Sequence, residues 1–245
     1  MDIRQVTITA SDPGESARWF RQVLGLPGTG TGTGARVPVG RSVLALSPGL
    51  DPEPGRGHHI AFDVPANRFD AGAAWLQERA PVLTKQGRTR FVGTAGWNSR
   101  SIYFAGPDGA ILELIGRADL TGDRPDDGTP FGPGDLLSIS EIALAVTDAP
   151  GTAHRIREGS GLVPFVPELD RFVPVGDQHG LLILTDVRRV LMPTTSTTVL
   201  AAPVTVHARG PRDATVRPTP HSTLVLTAGG APYRGPGPVD TAPSR

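Results

Sequence analysis

Three stretches of the chain share one alternating pattern of large apolar and small or polar residues: Gln5-Val6-Thr7-Ile8-Thr9, His59-Ile60-Ala61-Phe62-Asp63 and Glu141-Ile142-Ala143-Leu144-Ala145. A period of two predicts strands with one face packed on a hydrophobic layer and the other turned away from it. In "GHHIAFDV" this puts His58, Ile60, Phe62 and Val64 on the packed face and His59, Ala61 and Asp63 on the opposite one, so His59 and not His58 looks away from the core. After the first strand, "SDPGESARWFRQVLGL" predicts a helix. Ala17, Phe20, Val23 and Leu24 recur at helical spacing, Asp12 can cap the start and Gly25 stops it. "RSVLALS" then returns as a strand. The second stretch is followed in the same order by "RFDAGAAWLQERA", a helix with Phe69, Ala73, Leu76 and Ala80 on one side, and by "SIYFAGPDGAILELIG", two strands around the turn Pro107-Asp108-Gly109. The third leads into a poor helix near 150–158, weakened by Pro150, Gly151 and Gly159, and then into the short strands "RFVPVG", "HGLLILT" and "VTVHARG".

Repetition of one strand-helix-strand order outranks any single motif as a guide to architecture. It predicts a first domain over residues 1–118 made of two modules, 1–50 and 56–117, a linker over 119–135, and a third, more divergent module over 136–210. Residues 211–245 are expected to add one strand, "STLVLTA", and a disordered tail. The third module then stands as an odd copy. Its exposed strand edge and the face bearing Ala143 and Ala145 would be covered by a second chain in a homodimer, or by "VTVHARG" and "STLVLTA" folding back within one chain.

Composition narrows the function classes. The 24 basic and 24 acidic residues balance, which leaves no global field to attract nucleic acid or an anionic membrane surface. The absence of cysteine rules out disulfides, thiolate metal sites and a cysteine nucleophile. No secretion signal and no long apolar run is evident, so a cytoplasmic location is the expectation. "GTGTGTGAR" fits a dinucleotide fingerprint only loosely. A helix precedes it and a strand follows, the reverse of what pyrophosphate binding needs, so it is expected to be a flexible loop.

The stretches "VTITASDPGESARWFRQVLGL", "HHIAFDV" and "WNSRSIYFAGPDGAILELIGR" resemble the vicinal oxygen chelate superfamily, which includes glyoxalases, extradiol dioxygenases, fosfomycin-resistance thiol transferases and bleomycin-binding proteins. The resemblance implies an α+β fold of paired βαβββ modules whose sheets curl around a cup. It also implies a divalent metal (iron, manganese, zinc, nickel or cobalt) held by Gln5, His59 and Glu113, and strand parity agrees with those three positions. Tyr103 stands where relatives place a cup-facing tyrosine, Trp97, Asn98 and Arg100 precede it at the expected rim, and Glu113 could double as a proton carrier. Glu141 occupies the ligand-like position of the third copy, but without a matching histidine it reads as structural or solvated. Two departures matter: many relatives have histidine where Gln5 stands, and Ala45 stands where some glyoxalases add a glutamate. The expectation is a metal-dependent lyase, isomerase or dioxygenase acting on a small oxygen-bearing molecule. A non-catalytic, drug-sequestering binding protein is the alternative.

Overall fold

The alternating stretches form strands throughout the computed structural model, which describes residues 1–93, 96–120, 124, 128–167 and 169–229. In chain order the elements are β1 (Asp2–Ala10), α1 (Pro13–Leu24), β2 (Thr29–Thr31), β3 (Gly34–Val39), β4 (Ser42–Pro48), β5 (Arg56–Gly57), β6 (His59–Val64), α2 (Phe69–Gln77), β7 (Arg90–Val92), β8 (Ser99–Ala105) and β9 (Ile111–Arg117). There follow β10 (Ser138–Val146), α3 (Ala149–Ser160), β11 (Phe172–Asp177), β12 (Gly180–Asp186), β13 (Thr198–Val199), β14 (Val204–Gly210), β15 (Ala214–Thr219) and β16 (Ser222–Ala228). The fold is α+β, built of βαβββ modules.

Local signals place the helices. The Asp12 side chain accepts the Glu15 amide at 2.9 Å and Gly25 closes α1 in the left-handed region, as the sequence predicts. The third helix is longer than expected, twelve residues, because Pro150 sits in its first turn, where no amide is needed, and Asp148 caps it through Gly151 N–H at 2.9 Å. "GTGTGTGAR" is not a loop but contributes to the β2–β3 hairpin. The linker expectation also changes: Phe131 is buried against Gly72 and Trp75, which anchors that segment onto α2. The predicted tail beyond residue 229 lies outside the described residues.

Module pairing departs from the sequence reading. One seven-stranded sheet has the order β15-β16-β14-β1-β4-β3-β2 and the other β11-β12-β10-β6-β9-β8-β7, with β5 and β13 forming a small parallel pair between the chain's halves. The first module therefore pairs with the C-terminal strands and the second with the third, through antiparallel contacts of β1 with β14 and β6 with β10. Modules 1–50 and 56–117 do not share a sheet, and "VTVHARG" belongs to the first sheet rather than to the third module. Alternation sets which face a residue occupies, but not which distant strand it joins. The β10 edge of the third module is taken by β6 of the second module, whereas "VTVHARG" and "STLVLTA" fold back onto the first sheet; Ala143 is buried among Leu181, Ile183 and Val199.

The apolar faces of both sheets and all three helices feed one core in which Ile3, Leu44, Ile60, Phe62, Leu112 and Ile142 are fully buried. A seam joins the sheets at the β3–β4 turn. Ser42 Oγ donates to Ile3 O at 2.6 Å and accepts the Ile139 amide at 3.0 Å, and the Arg41 amide donates to Leu137 O at 2.9 Å. Gly40 makes this approach possible. Its φ is +52°, and a Cβ there would stand 2.0 Å from Leu137 O.

Two substitutions should loosen this seam. Ser42→Ala strands the buried Ile139 amide and should lower unfolding free energy by about 1–3 kcal/mol. Gly40→Ala, with both strain and a backbone clash, should cost at least as much. Urea unfolding of each variant checks this; a wild-type midpoint for Gly40→Ala would show that the turn can yield without cost.

Candidate functional site

Register in the second sheet assembles a cluster of ionisable side chains. Glu113 on β9 lies opposite Ala61 on β6, Ala61 opposite Glu141 on β10, and Tyr103 on β8 opposite Glu113. Tyr103, Glu113, Ala61 and Glu141 thus form one row across four strands, on the face turned away from the helices. Ala61 is small enough to leave room between the two carboxylates, and His59, two residues before it on the same face, leans over the gap. All three ionisable groups are buried: His59 at 7%, Glu113 at 2% and Glu141 at 3% exposure. His59 Nε2 stands 3.5 Å from Glu113 Oε2 and 4.0 Å from Glu141 Oε2, and one ligand atom from each of the three lies within 4.8 Å of the others.

The tautomer of His59 follows from its other nitrogen. Nδ1 lies 3.0 Å from Ile111 O, and a carbonyl oxygen only accepts, so Nδ1 bears the hydrogen. Burial lowers the His59 pKa, against the pull of Glu141 and the Ile111 carbonyl, which keeps the ring neutral with the Nε2 lone pair directed at two carboxyl groups. Burial, reinforced by the charge of Glu141, pushes Glu113 up to about 8 although the Ser101 and Tyr103 hydroxyls and Arg117 favour its anion. Tyr103 is raised well above the ordinary phenol range, first by burial and then by the two glutamates. Glu141 has a cation of its own: the fully buried Arg117 donates to its Oε1 and to Ser140 Oγ. The Arg117 guanidinium also packs 5.4 Å from the Trp97 ring and 5.9 Å from Phe165.

Above this cluster opens a cavity of about 210 Å³, below the roughly 300–1,000 Å³ usual for drug-sized ligands. Its walls are mainly apolar, with Phe91, Trp97 and Phe172 facing His59, Tyr103 and the two glutamates. Of the residues singled out from sequence, His59, Glu113, Tyr103 and Trp97 line this cavity. Gln5 does not. It lies on β1 in the other sheet, where its Oε1 accepts from Arg36 at 3.0 Å and its Nε2 donates to Thr7 at 3.1 Å. Asn98 is exposed and donates to Asp119, whereas Arg100 falls on the helix-packed side, bonded to Asp70 and Ala66 O and stacked on Phe69. Glu141, read as structural or solvated, instead completes the cluster from the strand paired with β6; its ligand-like place in the third copy was the available signal. Arg189, Met192 and Phe172 also line the cavity and had no signal in local pattern.

No protein-family model matches the chain, and no curated protein matches it significantly. Solved structures do share its fold. Glyoxalase I from Zea mays aligns with a TM-score of 0.55 at 15% identity, covering 93% of this chain and 92% of that one. A Bacillus subtilis protein provisionally described as a dioxygenase aligns with a TM-score of 0.56 at 16% identity, covering 85% of this chain and 70% of that one. The architecture is therefore the vicinal oxygen chelate fold that the sequence resemblance implies. No helix among the described residues is long and apolar enough to cross a membrane.

The Arg117–Glu141 pair should prove essential to the folded state. Arg117→Met keeps the aromatic packing but leaves a buried carboxylate without its cation, and should destabilise the metal-free protein by about 3–5 kcal/mol. Denaturant titration with and without the partner change Glu141→Gln measures it: the double variant should recover part of the loss, and equal loss in both would mean the pair is not coupled.

Proposed function

We propose that the chain is a divalent-metal-dependent enzyme of the vicinal oxygen chelate type, with the ion held by His59, Glu113 and Glu141, acting on a small molecule that presents two neighbouring oxygens. One observation supports this above the rest: a neutral imidazole nitrogen and two carboxyl groups converge on one buried space with acceptors facing acceptors. A cation is the group that such a donor set fits, and imidazole with carboxylate suits iron, manganese, zinc, nickel or cobalt. His59 has the hydrogen-bonded tautomer that metal-binding histidines adopt. This assignment exchanges Gln5 for Glu141 in the ligand set.

Such an ion supplies Lewis acidity, stabilising negative charge that develops on substrate oxygen. The remaining work falls to side chains. Arg117 fixes Glu141 from behind. Glu113, beside the Tyr103 and Ser101 hydroxyls, is suited to hold or pass a proton at its carboxylate oxygen. Tyr103, neutral throughout the physiological range, donates its hydroxyl hydrogen to the Glu113 carboxylate and so orients that group in the cavity wall. Phe91, Trp97 and Phe172 provide apolar walls that strengthen these polar contacts.

The aromatic lining also suits a second reading, a binding protein that holds its ligand by burial alone. Metal analysis separates the two. Wild-type protein should bind about one divalent ion per chain. His59→Ala, Glu113→Ala and Glu141→Ala should each weaken it by about two orders of magnitude or abolish it, whereas Gln5→Leu and His58→Ala should leave it unchanged. A wild-type protein that takes up no iron, manganese, zinc, nickel or cobalt on reconstitution favours the binder, and loss of metal in Gln5→Leu would restore the ligand set implied by the resemblance.

A further inference from the structure

The turn that follows β12 distributes three arginines unequally around one acid. The Asp186 carboxylate is taken by Arg188, through Nε at 2.9 Å and Nη2 at 2.8 Å, and by Arg171 Nη2 at 3.3 Å. Arg189, whose amide closes the turn on Asp186 O at 2.8 Å, faces the other way and lines the cavity with His59, Glu113 and Glu141. Among the described residues its guanidinium has no hydrogen bond and no ion pair. Asp186 already serves two arginines, Glu141 is bonded to Arg117, and no ion pair joins Arg189 to Glu113. Its guanidinium carbon stands 4.3 Å from the Phe172 ring, with Tyr103 and His59 within electrostatic reach.

A half-buried cation without an acid is held at a cost, since apolar walls remove water and return nothing for the charge. Burial and the neighbouring Arg171 both work against its protonated form. An arginine stays charged nonetheless and seeks an anion. Against the Phe172 face the guanidinium has one side covered, which leaves its N–H edge as the binding surface, and an edge of paired donors matches a planar carboxylate. A cavity of about 210 Å³ that must also admit two oxygens over His59 and the glutamates suits that compact group.

We propose that Arg189 is the specificity-determining receptor for a carboxylate on the substrate, so that the ligand is a small carboxylic acid with two neighbouring oxygens elsewhere in the molecule. The position of those oxygens rests on the metal site proposed above; the role of Arg189 does not. Packing on Phe172 alone is the competing role.

Catechol and 3,4-dihydroxybenzoate, which differ only by a carboxylate, test this by calorimetry on the full chain loaded with manganese. Wild-type protein should prefer the acid by about tenfold or more, the scale of a charge-assisted hydrogen bond. Arg189→Gln should bring the ratio near one without changing manganese stoichiometry, and Arg189→Lys should retain part of it. Equal affinities in the wild type, no binding of either probe, or an undiminished ratio in Arg189→Gln overturns the proposal, as does an equal weakening of both probes, which would mark a packing role. If the wild type binds no manganese, the metal reading falls separately. Benzoate against benzyl alcohol on the metal-free protein then decides: a preference for benzoate that Arg189→Gln removes supports the receptor, and no preference overturns it.

Discussion

Two carboxyl groups and an imidazole lone pair share one buried space, and the repulsion among them is the constraint around which the second sheet is arranged. Arg117 pairs directly with Glu141 and acts on Glu113 only at a distance. The remainder must be met by a proton on Glu113, which burial favours, or by a cation between the three groups. Ala61 makes the arrangement possible in the first place. A larger side chain in that register would fill the gap between β9 and β10 where the acceptors converge. The aromatic layer then sets the dielectric: Trp97 and Phe165 cover Arg117, while Phe91 packs on Tyr103 with ring centroids 5.5 Å apart.

The first sheet repeats this pairing with different chemistry. There β1 and β14 pair antiparallel as β6 and β10 do, and Gln5 faces His207 across the strands. His207 is exposed, Gln5 is satisfied by Arg36 and Thr7, and the adjacent β4 offers Val43 and Ala45 where β9 offers Glu113. With no carboxylates converging, nothing in that row requires a cation. One topology thus yields one charged, enclosed site and one polar, open surface, and the difference lies in side chains at matched registers.

This explains what could be read from the sequence. Alternation placed His59 and Glu113 on the face away from the helices and His58 on the packed one, because a period of two is a local property. Caps at Asp12 and Gly25 bounded α1 for the same reason. Gln5 lies outside the buried cluster although its parity is right, and Glu141 lies within it although its strand has no matching histidine. Both outcomes depend on β6 pairing with β10 rather than β1 being its neighbour in the site, which is decided by packing over some eighty residues of chain. Arg117 and Arg189 were invisible for a related reason: each acquires meaning only from an acid, or the lack of one, brought near by tertiary structure.

The site's parts also differ in how they are held. Glu113 and Glu141 project from strand interiors paired on both sides, and His59 opens β6 opposite Ile111, whose carbonyl also holds its ring, so their relative positions are fixed by register and resist local change. The mouth is built otherwise. Val92 and Met192, exposed at its edge, and Arg189 come from an edge strand and from the turn segment after β12. Substitutions there can alter charge and shape without moving the strands beneath, which is the usual division between scaffold and selectivity. The buried cluster and the choice of what reaches it are therefore physically separable in this chain, the first set by backbone pairing across the second sheet and the second by side chains at its rim.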